Sequence, residues 1–490
     1  MGLGKKLWSD IVYKQFDTPA GYFILTVVAI IVGLLTAKLG VLAGGGLFVL
    51  SLSVAVGLLC LLNLKVAFYL SLFFAFFSNY FIRYFATMYN IDLPLGSVVD
   101  LLLILILLGI FIDQHRNNDK SWEFVKNPIT YVMLVYLLFV GVQFFNPYLQ
   151  AKIGYIYFIK RTAALYISYL VALYLFKEKK NIRSFLKFWF VMAFLGALYG
   201  CTQEWFGFMP MEQRWVDFIT ALEGGRNPLI HNGIYRKVSF FSDPTSFGML
   251  MANSLVMSLV LMTGPFRKKT KLGLGLLSLF FVLGMAYSGT RTAYAMVPSG
   301  LVLFTLMTIN NKKTLLFTAM GVMGFIILMF GPFDNPLVKR VRTAFIGSED
   351  ASLNLRDMKR ALAQPLVYEH PLGGGIDSSG ILGRKYDPGH YLAPYVIDSG
   401  YMKTALETGW IGLIVILIFY FVPMRVGIKH FYRVEDPELR TYLAGILAVI
   451  YALIIATYVQ KSINQLPGGL ILFILFAVLI KIPQLEKQNN

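Results

Sequence analysis

The stretch SDPTSFGMLMANSLVMSLVLMTGPFRKKTK, Ser242 to Lys271, decides the fold. Asp243 followed by Pro244 is a helix start. The carboxylate can accept the free N–H groups of the first turn, and proline is tolerated at the first helical position. Twenty residues without a charge follow, 244–263. A helix that crosses the hydrocarbon core of a bilayer needs about 20. Then come Arg267, Lys268, Lys269 and Lys271, a basic cluster of the kind that marks a cytoplasmic loop.

The same pattern repeats along the chain. Fourteen apolar runs qualify as spans, at about 21–37, 42–62, 65–85, 96–113, 129–146, 162–176, 184–206, 244–263, 272–288, 291–310, 314–331, 401–424, 440–459 and 466–481. Basic clusters follow the even-numbered runs, including Arg116, Lys120 and Lys126, then Lys177 to Arg183, then Lys312 and Lys313, then Arg425 to Arg440. They therefore fall on one side, the cytoplasm, and both termini are expected there. The predicted fold is an all-α polytopic integral membrane protein of about 14 transmembrane helices. Its expected organisation is helices 1–7 over 1–206, a first outer loop over 207–243, helices 8–11 over 244–331, a large outer loop subdomain over 332–400, and helices 12–14 with a cytoplasmic tail over 401–490. Within the large loop, SLNLRDMKRALAQPLVYEH (Ser352 to His370) has helical spacing, and PLGGGIDSSGILG after it reads as a flexible turn region.

Composition agrees. The chain has 490 residues, 57% hydrophobic and only 14% charged, with a mean hydropathy of +0.65; a soluble protein of that make-up would expose too much apolar surface. The formal net charge of +18 is largely the cytoplasmic anchors, which argues against nucleic-acid binding. Cys60 and Cys201 lie in apolar runs, and the five histidines are scattered, so neither a disulfide nor a metal site is indicated. No phosphate-binding glycine loop occurs in a strand–helix context, so no cofactor is implied. The N-terminal MGLGKKLWSD lacks a signal-peptide pattern and reads as a short basic entry segment.

Three spans start on the expected outer face with capping residues: Asp243 before Pro244, Ser288 or Thr290 in YSGTRTAYA, and Asp398 or Ser399 in VIDSGYMKTALETGWIG. Arg236 and Arg291 lie at two of these starts. Helix N-termini favour anions, and a guanidinium makes paired contacts to phosphate oxygens, so these arginines point to a lipid phosphate or diphosphate. The competing readings are structural. Either arginine could snorkel to the headgroups. Asp243 and Asp398 could be caps alone. His370 before Pro371 reads as a loop residue. Lys160 and Arg161, at the outer start of the sixth run, read as headgroup anchors or as the lining of a lipid entrance. Glu407, an acid at membrane depth, must face protein or a wet cavity.

Four pieces over roughly 236–412 resemble the O-antigen ligase and O-antigen polymerase superfamily of membrane glycosyltransferases. They are YRKVSFFSDPTSFG, YSGTRTAYA, RDMKRALAQPLVYEHPLGGG and DSGYMKTALETGWIGL, in that order. The resemblance implies a GT-C-like membrane enzyme in the cytoplasmic (inner) membrane with its active site facing outward. It implies a glycan donor carried on undecaprenyl diphosphate, a glycan acceptor, no metal, no cofactor and inversion at the anomeric carbon. Partners in polysaccharide assembly, such as a flippase and a chain-length regulator, are implied too. Arg236, Arg291, Arg356, Lys160 and Arg161 would bind the diphosphate, and Arg236 and Arg291 would also act in catalysis. The ligase branch has histidine–asparagine where this chain has Asp398–Ser399, which fits polymerase-like relatives better. Asp398 is the first choice of general base and His390, eight residues earlier, the second. Asp243, Pro244, Ser399 and Glu407 are assigned structural or capping roles. The leading function is a polymerase of lipid-linked oligosaccharide; the alternatives are a ligase onto lipid A-core or protein, and a flippase for the same lipid.

Overall fold

The computed structural model describes residues 18–19, 22–23, 26–27, 30, 33, 56–57, 60–61, 63–91, 93–116, 122–150, 152–222, 224–225, 227–231, 234–332, 335, 338, 341–342, 351–461, 463 and 465–489. The first two expected spans fall largely outside these residues. The labelled helices are α1 (Leu64–Tyr89), α2 (Leu95–Arg116), α3 (Pro128–Val142), α4 (Lys152–Leu175), α5 (Lys179–Trp205), α6 (Pro210–Leu222), α7 (Pro244–Thr263), α8 (Lys268–Ser288), α9 (Arg291–Met307), α10 (Lys312–Phe330), α11 (Ala351–Glu369), α12 (Gly380–Tyr386), α13 (Gly400–Phe431), α14 (Pro437–Thr457) and α15 (Gly468–Asn489). A two-residue antiparallel ladder joins β1 (Ile230–His231) to β2 (Ile234–Tyr235). Ten helices among the described residues are long and apolar enough to cross a membrane. The chain is an all-α polytopic membrane protein.

Contacts divide the chain into two compact units, residues 1–71 with 101–120, and residues 72–100 with 121–490. In the first, Gly109 keeps the space that Leu64 fills; a Cβ there would lie 2.4 Å from Leu64 Cδ2. The second is built around α7, which is buried along nearly its whole length. It packs against α5, α8, α9 and α14. Two apolar surfaces have no water to drive them together inside a bilayer, so close approach and interhelical hydrogen bonds matter more. Both are present: Ser258 and Ser278 hydroxyls meet at 2.7 Å between α7 and α8, and Gly445 on α14 leaves room for the Met257 thioether.

The sixth span is ten residues longer at its start than the apolar run suggested, since α4 begins at Lys152. Lys160 and Arg161 therefore sit in its third turn and not at its start. The charges concealed the helix from a hydropathy reading; they are tolerated because both are paired. Lys160 Nζ meets Ser97 Oγ at 2.7 Å and Asp100 at 3.0 Å, and Arg161 binds Asp377.

Helix alternation gives the second unit two ends. At one end lie the joints α7–α8, α9–α10 and α13–α14, with the basic residues. Some of those anchors are neutralised: Lys179 meets Asp436 at 2.7 Å, and Arg183 meets Glu438 at 2.7 Å. At the other end lie the two long loops. The first holds α6 and the β-ladder, packed through Val216, Leu229 and Val238. The second holds α11, the helix expected over 352–370, with α12 after it.

Candidate functional site

The local sequence LETGWIG, Leu406 to Gly412, breaks α13. Gly409 has φ 71° and ψ −178°, a conformation open essentially to glycine alone. The break frees two carbonyls, and a loop fills them. Gly374 N–H donates to Leu406 O at 3.0 Å, and Gly375 N–H to Glu407 O at 2.8 Å. The fit is tight: a Cβ on Gly409 would lie 1.7 Å from Pro371 O. From the other side, the buried Asn146 amide donates to Leu372 O at 2.9 Å and to Gly373 O at 3.1 Å. The stretch read from sequence as a flexible turn is thus buried over 373–380 and clamped between the turn after α3 and α13. Its glycines serve close backbone approach, which composition alone does not distinguish from flexibility.

This clamp delivers Asp377 into the second unit, beneath α4. Its carboxylate is 2% exposed and bound on both sides, by Arg161 Nη2 and by Lys403 Nζ at 2.8 Å. Lys403 also meets Glu407 at 3.2 Å, one helical turn away. Glu407 Oε1 accepts from Ser379 Oγ at 2.6 Å and from Ser379 N at 3.2 Å. These groups line a cavity of about 290 Å³, together with Lys461, Gln465 and the tyrosines Tyr136, Tyr166 and Tyr420. Its charged lining is Arg161, Lys403 and Lys461 against Asp377 and Glu407, an excess of one cation. Lys461 reaches solvent through the cavity mouth, yet enclosure by protein first, and repulsion from Lys403 second, push its pKa below the ordinary lysine value.

Gln465 connects the cavity to the start of α7. Ser246 Oγ lies 2.6 Å from Gln465 Oε1 and 2.7 Å from Asp243 Oδ2. Asp243 caps α7 as expected, accepting from Thr245 N at 2.8 Å and Ser246 N at 3.0 Å, with Pro244 at the first helical position. The α8–α9 turn leans on this start. Thr290 stands at the N-cap position of α9 but makes no side-chain cap; its hydroxyl donates to Pro244 O at 2.9 Å. Arg236 spans the turn, donating through Nε to Ser288 O and through Nη2 to Thr290 Oγ1, both at 3.0 Å. Arg291 is the next residue, half-buried in the first turn of α9. The two sequence-predicted arginines therefore belong to one corner, beside the cap of α7, Arg236 holding the turn that Arg291 follows.

Other candidates are placed differently. Ser399, not Asp398, caps α13, accepting from Met402 N at 3.3 Å. Asp398 is half-buried in a shallow cleft with Lys359, Arg360 and Val459, near enough to Lys461 to attract it. His390 is buried and fully engaged: Nδ1 accepts from Leu392 N at 3.0 Å, so Nε2 carries the proton and donates to Tyr148 O at 3.0 Å. In that arrangement both ring nitrogens are taken up by backbone partners. His370 packs against Tyr148 and Tyr391, as a loop residue should. Lys160 is held by Asp100. Arg356 lies on α11, with its side chain outside the described residues. Sequence reasoning missed Asp377, Lys403 and Lys461. Lys403 carried a readable sign, standing four residues before Glu407 inside an apolar run. Asp377 and Lys461 carried none, since only the returning loops bring them in.

Residues 276–417 match the family model described as O-Antigen ligase. The match runs from α8 to the middle of α13 and takes in Arg291, Asp377, Asp398, Lys403 and Glu407. A comparison with curated proteins gives no match. The match over residues 276–417 supports a likeness to the O-antigen ligase/polymerase superfamily.

Proposed function

We propose that the protein transfers a glycan from a polyprenyl-diphosphate carrier, undecaprenyl diphosphate, to an acceptor sugar hydroxyl, at the outer face of the cytoplasmic membrane. The observation that carries this reading is the cation-rich 290 Å³ cavity linked through Gln465, Ser246 and Asp243 to the corner that holds Arg236 and Arg291. Both features lie at the loop-rich end. The acceptor oxygen attacks the anomeric carbon, and the bond from that carbon to the diphosphate oxygen breaks with its electron pair going to the diphosphate. The arginines offset that growing charge where little water competes. Asp398, in the neighbouring cleft within electrostatic reach of Lys461, takes the acceptor's proton. A single displacement of this kind inverts the anomeric centre. Transport of the same lipid would call for ionisable groups near the middle of broken helices. Here α13 is broken at Gly409, but Lys403 and Glu407 stand near its outer start and Lys461 lies between α14 and α15, at the loop-rich end rather than mid-helix.

Within this reading, polymerisation of cell-surface polysaccharide is favoured over ligation to lipid A-core or protein, because Asp398 stands where ligases have histidine. The purified protein, given lipid-diphosphate-linked repeat units from its host and no other acceptor, should yield a ladder of longer glycans on a gel. Transfer only after core lipid or a candidate protein is added would establish a ligase instead. Failure of both, with lipid flipping in vesicles, would overturn the enzyme.

Arg291→Lys should lose about 10²–10³-fold in product formation, since a compact ammonium cannot reproduce paired contacts to phosphate. Wild-type activity would remove the paired-contact argument. Asp398→Asn should cost about 10²–10⁴-fold in turnover while the denaturation midpoint stays put, because Ser399 keeps the cap. Full activity in that variant would return Asp398 to a structural role.

A further inference from the structure

A second cavity, of about 740 Å³, opens at the far end of the same helices, where α7, α9 and α13 finish and α10 and α14 begin. Since α7 has 20 residues, it lies about 30 Å from the corner described above. Its charged lining is Lys271 and Arg440, with no carboxylate among the lining residues. The nearby carboxylates Asp436 and Glu438 are engaged elsewhere, by Lys179 at 2.7 and 3.0 Å and, for Glu438, by Arg183 at 2.7 Å. Arg440 is held over the Phe431 ring, 4.8 Å from its centroid, which fixes a guanidinium at the wall. Thr308 and Asn310 add polar groups beside it.

The walls are also apolar, and an apolar track leads away. Phe431 and Tyr432 line the cavity. On α8, one residue past Lys271, Leu272 is 78% exposed, and Leu276 and Leu279 continue the exposed stripe at helical spacing. On α10, Leu315 and Leu316 are exposed as well. A soluble phosphate would use the cations and leave this track bare. A phospholipid would use both, placing its headgroup between Lys271 and Arg440 and its acyl chains along α8 and α10.

We infer that this cavity is a binding site for an anionic phospholipid headgroup, separate from the transfer site and independent of the reaction proposed there. The test uses purified protein in detergent, with phosphatidylglycerol, phosphatidylcholine or inorganic phosphate added, read by native mass spectrometry and by the thermal denaturation midpoint. Phosphatidylglycerol should be retained and raise the midpoint, and phosphatidylcholine should do neither. The pair Lys271→Gln and Arg440→Gln should weaken retention about thirtyfold, at roughly tenfold or less per cation near a membrane surface. Lys271→Met alone, at a half-exposed position, gives the same direction if the pair fails to fold. The exposed control pair Lys268→Gln and Lys269→Gln lies outside the cavity and should retain phosphatidylglycerol as wild type does. Equal loss in that control would overturn the built site in favour of diffuse surface charge. Equal retention of phosphatidylcholine would overturn the charge recognition, and stabilisation by inorganic phosphate that displaces phosphatidylglycerol would overturn the lipid source.

Discussion

Gly409→Ala should destabilise the protein by about 3–5 kcal/mol and abolish transfer. Two costs combine. An alanine at φ 71° and ψ −178° is strained by about 1–3 kcal/mol. Its Cβ would also lie 1.7 Å from Pro371 O, a backbone atom that can retreat only by giving up the Gly374–Leu406 and Gly375–Glu407 hydrogen bonds. Each of those is worth about 0.5–1.5 kcal/mol net. The contrast is Gly273→Ala, on an exposed part of α8 where an added Cβ meets nothing within 4 Å. That change should be neutral or stabilising by up to about 1 kcal/mol. Thermal denaturation of both variants in detergent decides the matter. A Gly409→Ala midpoint equal to wild type would mean that the loop does not depend on the helix break.

Asp377→Ala should cost about 3 kcal/mol, the second large effect. The carboxylate separates Arg161 from Lys403, and its loss leaves three cations facing Glu407 alone. Breaking a buried ion pair by removing one partner costs about 3–5 kcal/mol. The lower end applies here because the Arg161 side chain is 44% exposed and can turn to water. Asp377 also sits at φ 57°, which aspartate and asparagine tolerate better than alanine. Asp377→Asn should therefore lose less. The double change Arg161→Met with Asp377→Leu should recover part of the denaturation midpoint without recovering activity, since it relieves the charge imbalance and empties one wall of the cavity of its cation. Equal midpoints for Asp377→Ala and wild type would show that the pair contributes nothing to stability.

The spans were legible because a bilayer imposes a length and a polarity on any helix that crosses it. From the third run onward, each expected run contains a helix, from α1 at Leu64 to α15 at Asn489, though α9 and α10 are not among the ten long and apolar enough to span. The error at α4 had the same origin: Lys152, Lys160 and Arg161 lower the hydropathy of turns that are helical all the same. The caps at Asp243 and Ser399 were legible because capping is a local matter, settled within three residues. Thr290, one of two residues offered as a cap beside Ser288, instead spends its hydroxyl on Pro244, a contact 46 residues distant in sequence. Arg161 and Asp377 lie 216 residues apart, and no local pattern announces that they meet. His390 was a reasonable base by residue type; its two backbone partners, invisible in sequence, occupy it.

The clamp on residues 371–375 has a consequence for what can be called a domain in this protein. The match to the family covers 276–417, and that segment carries Asp377, Lys403 and Glu407. Asn146, which holds the loop from the turn after α3, lies before it, as does Arg161, and Lys461 lies after it. A fragment cut to the matched residues would keep the recognisable sequence and half a cavity. The length of polypeptide that the family likeness marks and the length that the cavity requires are, in this chain, different.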